Sequence, residues 1–147
     1  EALIKNLAMP NGIVFSPDFS RLYVADTGGS KRHPDSKYHD YPATVTCYAL
    51  SDEGTIGEEL FTIKEGSDGM AVDVNGNLYL TQGNVQVYDP EGKKIETIKV
   101  PQNPANVCFG GSDYKTLFIT ARTSLYSVKM VFPGAVSKRS VFKKSKK

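Results

Sequence analysis

Three segments of this chain share one pattern, and this internal repeat constrains the fold more than any other feature of the sequence. Each segment has a short apolar run, a polar turn, and then a leucine followed by an aromatic and an aliphatic residue. The segments are NGIVFSPDFSRLYVAD at 11–26, DGMAVDVNGNLYLTQ at 68–82 and ANVCFGGSDYKTLFITA at 105–121. Short runs rich in β-branched and aromatic residues between turn residues predict β-strands, so the chain is expected to be all-β.

Further strand-like runs follow the repeats at corresponding places. A third run follows every repeat, at 43–50, 84–89 and 124–130, and a fourth follows the first two repeats, at 60–65 and 95–100. A unit of four short antiparallel strands that repeats about every 40–55 residues is typical of the blades of a β-propeller. An ordinary sandwich of meanders is the alternative, but the same strand order in three units favours the propeller.

The strand count predicts an incomplete ring. Residues 1–7 (EALIKNL) are expected to form an outer strand with no blade before it, and the last unit has three strands. Since propellers have about four to eight blades, we expect about three blades here, as half of a six-bladed ring. An N-terminal half or a second copy of the chain would complete it. The expected boundaries are 1–130 for the partial propeller and 131–147 for a basic C-terminal tail, disordered at its end.

Composition argues against two classes of partner. The longest apolar runs fall far short of the roughly 20 residues of a membrane-spanning helix. Basic residues exceed acidic ones by 18 to 16, but the last ten residues hold six of the basic ones, so the rest of the chain is slightly acidic. This part of the chain is not expected to bind nucleic acid, because contacts to phosphate groups need clustered cations. Cytoplasmic, secreted and periplasmic locations all remain open.

The two cysteines lie in apolar, strand-like runs. Cys47 is in TVTCYAL and Cys108 is in NVCFGG, and the two are not in a C-x-x-C spacing. Small apolar side chains of this kind are usually buried in the core, so we expect two buried thiols rather than a disulfide or a nucleophile.

The starts of the innermost strands are where we expect the chemistry, because these positions converge on the central channel of a propeller. They are Asn11 before Gly12, Asp68 before Gly69, and Asn106 after Ala105. An amide oxygen and a carboxylate oxygen aimed at one axis suit a hard cation such as Ca²⁺ or Mg²⁺. Asn-Gly and Asp-Gly are also ordinary turn dipeptides, which is the alternative. Asn106 either contacts water or substrate in the channel or caps a strand end.

An insertion separates the second and third strands of the first unit. It spans 27–42 and contains the two histidines, His33 and His39, among several charged residues. A zinc site would need further nitrogen or sulfur ligands at regular spacing. The insertion is therefore interpreted as a solvated loop, with a lid over the channel mouth as the functional alternative.

The repeated segments also resemble a known family. PNGIVFSPDFSRLYVADT, GSDGMAVDVNGNLYLTQGNVQVYDPEGKKIETIKVP and PANVCFGGSDYKTLFITARTSLYSV are similar to the C-terminal half of the gluconolactonase family, which includes regucalcin (senescence marker protein). The resemblance covers roughly residues 1–130. It implies a six-bladed propeller hydrolase that acts on sugar lactones. The cofactor that it implies is Ca²⁺, or another divalent cation such as Mg²⁺, Zn²⁺ or Mn²⁺.

The resemblance also implies roles for particular residues. Asn11 matches the metal-binding asparagine of the family, and Asp68 matches its metal-binding aspartate, which is also proposed as the general base. The third metal ligand of the family, a glutamate, and its substrate-contacting Arg and Asn residues lie in the N-terminal half, outside this chain. Two alternatives stay open: a non-catalytic propeller module that binds a protein or sugar partner, and a phosphotriesterase-like hydrolase on the same scaffold.

Overall fold

The strands form three antiparallel sheets that follow one another along the chain. The structure is a computed structural model, and it describes residues 1–135 of the 147 in the chain. Blade 1 contains β1 (Pro10–Phe15), β2 (Arg21–Asp26), β3 (Thr44–Leu50) and β4 (Ile56–Ile63). Blade 2 contains β5 (Met70–Val72), β6 (Leu78–Gln82), β7 (Asn84–Tyr88) and β8 (Lys94–Ile98). Blade 3 contains β9 (Pro104–Gly110), β10 (Thr116–Ala121) and β11 (Ser124–Lys129).

This architecture confirms the prediction of an all-β partial propeller. Within each blade the strands are hydrogen-bonded in sequence order, and all the pairings are antiparallel. The third and fourth runs of the repeat are strands, and the last unit has three strands, as the sequence predicts. Within residues 1–135 no helix is long and apolar enough to cross a membrane.

Two apolar cores lie between the blades, because alternate residues of each strand point to opposite faces of its sheet. One core joins Tyr23 and Val45 of blade 1 to Leu80 and Tyr88 of blade 2. The other core joins blade 2 to blade 3. Its members include Tyr79, Val85, Val107, Leu117 and Ile119. Blade 2 therefore contributes to both cores and is covered on both faces.

The repeated aromatic positions have different surroundings in the three blades. Tyr23 and Tyr79 are buried between blades, and the ring of Tyr79 meets Phe109 edge-on with centroids 5.1 Å apart. Phe118 lies on the other face of β10 from Leu117, beside Leu125, which is 67% exposed. The aromatic position of the repeat thus packs between blades in two units, and in blade 3 it lies on the sheet face turned away from blade 2.

Tight turns join the strands at the edge opposite Asn11. The β5–β6 turn is held by Asp73, which is fully buried and accepts hydrogen bonds from the Asn75 and Asn77 N–H groups at 2.9 and 3.0 Å. The same carboxylate accepts hydrogen bonds from the Asn77 amide and the Tyr79 hydroxyl. This network satisfies a buried charge, which would otherwise be costly.

Residues 1–7 do not form the strand that the sequence predicts. They lie outside the strands of the structure, and most of them are exposed. Asn6 has a φ of 68°, in the left-handed region, which interrupts an extended backbone. The first strand instead begins at Pro10.

The prediction for Cys108 is also wrong, whereas Cys47 is buried as expected. Both thiols are free, and Cys108 is exposed. Val107 and Cys108 are neighbours in β9, so they point to opposite faces, and Val107 takes the place in the core between blades. Cys108 thereby lies on the same exposed face of blade 3 as Phe118.

The chain returns to blade 2 after β11. Gly134 forms an isolated antiparallel bridge with Asp73, flanked by hydrogen bonds from the Val74 N–H to the Pro133 carbonyl (3.0 Å) and from the Ala135 N–H to the Val72 carbonyl (2.9 Å). The sequence offers no strand here and assigns these residues to the tail. The prediction that the tail at 131–147 is disordered at its end falls on residues outside the described range 1–135.

Candidate functional site

The three predicted site residues lie at the starts of neighbouring inner strands. Asn11 is the second residue of β1, Asp68 comes two residues before β5, and Asn106 is the third residue of β9. All three are exposed. The structure therefore brings the three predicted positions to one edge of the three blades.

Two glycines allow the starts of these inner strands to approach one another closely. A β-carbon at Gly12 would collide with the backbone carbonyl oxygen of Asp68 and would lie 2.9 Å from Met70 Cγ. A β-carbon at Gly69 would collide with the side chain of Asn106. Blades 1 and 2, and blades 2 and 3, are thus in backbone-level contact beside the candidate ligands.

The segment that carries Asp68 is held by two buried hydroxyl groups. Ser67 Oγ donates to the Gly69 carbonyl at 2.8 Å and accepts from the Thr81 N–H at 2.8 Å. Thr81 Oγ1 also lies 2.9 Å from the Gly69 carbonyl and 3.2 Å from the Ala105 carbonyl, which accepts the Gly69 N–H at 2.7 Å. These bonds fix the backbone on both sides of Asp68 and leave its carboxylate outward.

The segment that leads to Asn11 is held by Asp26. This residue ends β2 and is 3% exposed. Its carboxylate accepts hydrogen bonds from the N–H groups of Ala8, Met9 and Gly28. The sequence offers no basis for placing Asp26 or Thr81 near the site. Asp26 holds residues that come before the first repeat, and Thr81 holds a residue at the start of the second repeat.

The side-chain chemistry of the site fits a hard cation. Asn11 and Asp68 make no side-chain hydrogen bond to any residue within 1–135, so an amide oxygen and a carboxylate oxygen remain available. Both are oxygen ligands of the kind that Ca²⁺ and Mg²⁺ prefer. Asn106 differs, because its Oδ1 accepts the Val107 N–H at 2.9 Å.

The ligand set within the described part of the chain is small. No group of three or more His, Cys, Asp or Glu side chains that could hold a metal occurs in residues 1–135. Because Ca²⁺ takes about six to eight oxygen ligands, Asn11 and Asp68 would supply a minority of the coordination sphere. A cavity of about 330 Å³ does lie between the inner strands, but it is lined by apolar residues such as Val14, Met70 and Phe109, and the three site residues are not part of its wall.

The insertion starts from the same edge as Asn11, since it follows the end of β2. Its base is closed by the Gly29 N–H, which donates to the Tyr41 carbonyl at 2.8 Å. His39 Nε2 lies 3.0 Å from the carbonyl oxygen of His33, and the His33 ring packs edge-on against Tyr38. The two histidines are thus engaged in contacts within the loop. Both interpretations of the loop, solvated or lid, stay predictions.

Comparison with known proteins identifies the family. The sequence profile of the SMP-30/Gluconolactonase/LRE-like region matches residues 1–123. The chain belongs to this family. Among its SMP-30/gluconolactonase relatives are regucalcin of Xenopus laevis, 33% identical over 120 residues, and 6-deoxy-6-sulfogluconolactonase of Pseudomonas putida, 30% identical over 131 residues. These alignments cover 76% and 82% of this chain.

Solved structures of SMP-30/gluconolactonase relatives have the same fold. A gluconolactonase from Xanthomonas campestris aligns with a TM-score of 0.68 at 29% identity and covers 89% of this chain and 39% of its own. The calcium-binding protein regucalcin from Agrobacterium tumefaciens aligns with a TM-score of 0.68 at 22% identity, over 90% of this chain and 49% of its own. The arc of three blades is therefore a part of the propeller of this family.

The chain matches less than half of these relatives. It spans 36% of the Xenopus regucalcin and 40% of the Pseudomonas lactonase. The rest of the length of these relatives is accordingly outside the matched region.

Proposed function

We propose that this chain carries two metal ligands and the general base of a divalent-cation-dependent sugar lactone hydrolase of the gluconolactonase type. The observation that carries the proposal is the placement of Asn11 and Asp68 at the starts of neighbouring inner strands, with both side chains exposed and free of hydrogen bonds within residues 1–135. The names of the relatives, among them gluconolactonases and a calcium-binding regucalcin, support the reaction class and the cation.

Lactone hydrolysis needs a base and a group that stabilises negative charge. Bound Ca²⁺ would polarise the lactone carbonyl and stabilise the oxyanion that develops on it. The Asp68 carboxylate would accept a proton from the attacking water as its oxygen bonds to the carbonyl carbon. The same proton would pass to the ring oxygen as the carbon–oxygen bond of the lactone breaks, which yields the hydroxy acid. Asn11 would act as a neutral ligand, and Asn106 would contact the substrate.

The division of roles between Asp68 and Asn11 can be tested by substitution. Asp68→Asn keeps the size of the side chain but removes the base, so turnover of gluconolactone should fall roughly a hundredfold or more. Asn11→Ala should chiefly weaken Ca²⁺ binding and be compensated in part by excess Ca²⁺. Asp52→Asn changes an exposed carboxylate in the β3–β4 turn and is the matched control. It should leave both the turnover of gluconolactone and the affinity for Ca²⁺ unchanged. Wild-type turnover in Asp68→Asn with Ca²⁺ present would refute the assignment.

Metal binding can be measured without activity. A ligand that binds the folded state alone stabilises it, by about 2.7 kcal/mol at a hundred times its Kd. We therefore expect Ca²⁺ to raise the melting temperature of the chain, and we expect Asn11→Ala and Asp68→Asn to reduce this effect. If Ca²⁺ does not raise the melting temperature, the alternative of a non-catalytic module that binds a protein or sugar is favoured.

Parallel assays with gluconolactone and an organophosphate separate a lactonase from a phosphotriesterase-like enzyme.

The remaining blades of the ring are the partner that we propose for the open sheet faces. Blade 1 exposes Ile13 and Leu60, and blade 3 exposes Cys108 and Leu125. Apolar sheet faces of this kind are normally covered. Light scattering of the chain distinguishes two sources: a dimer indicates closure by a second copy, whereas a monomer that binds a separately produced N-terminal half indicates closure by that half.

A further inference from the structure

Asp26 holds the residues that lead into the first inner strand. Its Oδ2 accepts the Ala8 N–H at 2.6 Å, and its Oδ1 accepts the Met9 N–H at 2.9 Å. Oδ1 also accepts the Gly28 N–H at 2.8 Å, at the base of the insertion. One buried carboxylate therefore joins three backbone segments: the entry to β1, the end of β2 and the start of the loop.

The ladder between β1 and β2 leaves Asn11 in need of this support. The register pairs Pro10 with Asp26 and then Ile13 with Val24, so Asn11 and Gly12 lie in a bulge between the two pairs. An extra residue in a bulge is released from regular ladder bonds, and its direction depends on how the flanking backbone is held. On the upstream side that backbone is held by Asp26, helped by Thr27, whose N–H and Oγ1 both reach the Met9 carbonyl (3.0 and 3.1 Å).

Blade 2 performs the same task with different side chains. There Ser67 and Thr81 bond to the carbonyl of Gly69, the residue after Asp68. Both blades thus have a buried polar side chain at or beside the end of their second strand that holds the backbone next to a candidate ligand. Blade 1 uses a carboxylate for this purpose and blade 2 uses hydroxyl groups. The two blades therefore share the support of the backbone near a candidate ligand, but they do not share the type of side chain that provides it.

We propose that Asp26 is a positioning residue for the metal site, which it serves by fixing the backbone that directs Asn11. This inference rests on the proposed function, because it takes Asn11 as a ligand. Asp26 itself is buried beneath the backbone and would not touch the cation. Groups that orient metal ligands typically affect metal affinity by about 10- to 100-fold when they are changed.

A matched pair of variants separates positioning from stability. Asp26→Asn keeps the shape of the side chain but removes the charge and one acceptor position. Asp73→Asn does the same at the other buried, multiply bonded aspartate, which lies in the β5–β6 turn at the edge opposite Asn11. Both variants should melt at a lower temperature than the unmodified chain in the absence of Ca²⁺.

Calorimetric titration of the full chain with CaCl₂, well below each melting temperature, then gives the decisive comparison. We expect the Kd for Ca²⁺ to rise about tenfold or more in Asp26→Asn and to change less than about twofold in Asp73→Asn. Thr27→Val, which removes one hydrogen bond to Met9, is the milder variant and keeps the test available if Asp26→Asn does not fold. Its Kd should rise about two- to fivefold.

Each outcome decides something. An unchanged Kd in the folded Asp26→Asn variant, or in Thr27→Val if Asp26→Asn does not fold, overturns the inference and leaves the proposed function intact. An equal loss of affinity in Asp26→Asn and Asp73→Asn also overturns it, because the effect would then follow stability alone. A full chain that binds no Ca²⁺ overturns the proposed metal site, and this inference with it.

Discussion

Gly69 of blade 2 lies directly against the side chain of Asn106 of blade 3, with no room for a β-carbon between them. The β-carbon of any other residue at position 69 would lie 2.7 Å from the Asn106 α-carbon and would overlap its amide group. The two inner strands are also joined here by the hydrogen bond from the Gly69 N–H to the Ala105 carbonyl. Asp68 and Asn106 are therefore held together by backbone contact, and the glycine after Asp68 has a steric role.

Gly69→Ala should separate the starts of β5 and β9. The added methyl group must displace backbone, so we expect a loss of about 1–3 kcal/mol in the free energy of unfolding, as is usual for overpacking. Urea unfolding followed by circular dichroism measures it. Gly57→Ala in β4 is the control, because its β-carbon would have its closest contact at an ordinary 3.4 Å. A Gly69→Ala variant as stable as Gly57→Ala would contradict this packing.

The β1–β2 turn should become weaker in acid. The Asp18 carboxylate accepts hydrogen bonds from Ser16 Oγ at 2.6 Å and from the N–H and Oγ of Ser20, and these bonds lower its pKa to about 2. A lowered pKa in the folded state contributes stability above the ordinary value of 3.8, and this contribution disappears as the pH falls through about 2.

Melting temperatures of the unmodified chain and Asp18→Asn, compared between pH 7 and pH 2, test this prediction. The difference between the two proteins should be largest near neutral pH and should shrink steadily below pH 4. A difference that is constant over this range would show that the ionised carboxylate is not what holds the turn.

Tyr79→Phe should destabilise the core between blades 2 and 3. The hydroxyl donates to the buried Asp73 carboxylate at 3.1 Å, and burial is the main cause that raises the pKa of Tyr79, so the hydroxyl stays protonated and remains a donor. Hydrogen bonds to charged groups are worth about 1.5–3 kcal/mol. Urea unfolding should show a loss of this size. Tyr126→Phe is the control, since its hydroxyl makes no hydrogen bond within residues 1–135, and a similar loss there would argue against the specific bond.

The two thiols should react at different rates. Cys108 is exposed on blade 3, whereas Cys47 is fully buried and its pKa is raised by that burial. Since the thiolate is the reactive form, a disulfide reagent at pH 8 should modify one thiol rapidly in the folded chain and two in denaturant. Cys108→Ser should abolish the rapid phase and Cys47→Ser should retain it. Protection of both thiols in a dilute monomer would contradict the exposed face of blade 3.

The blades could be predicted from the sequence because each strand is short, alternating and bounded by turn residues. In β3, for example, Val45 and Cys47 alternate with threonines and face the core. Cys108 is exposed because it lies on the face of β9 opposite Val107, and within residues 1–135 no blade covers that face. The alternation within a strand does not show which of its two faces is covered. The strand predicted at 1–7 is not formed, because Asn6 has a φ of 68° that interrupts the extended backbone, and these residues pair with no strand within residues 1–135.

The candidate site was predictable in part. The repeat aligns Asn11 with Asp68, and in the structure the strands that begin near these residues are neighbours, whereas the roles of the two side chains stay predictions. The residues that hold them were not predictable, because Asp26 acts on residues 18 and 17 positions earlier in the chain. Hydrogen bonds to backbone groups leave no signature in side-chain pattern, and such contacts become visible once the blades are folded.

The return of the chain to blade 2 has a mechanical consequence. Residues 133–135 are bonded to both sides of Asp73, beside the shortest inner strand of the arc. A force that pulls on the chain beyond residue 135 would act first on these hydrogen bonds to blade 2, before it could separate β11 from β10 in blade 3. The attachment to blade 2 therefore protects the edge strand β11 from such a force for as long as these bonds hold.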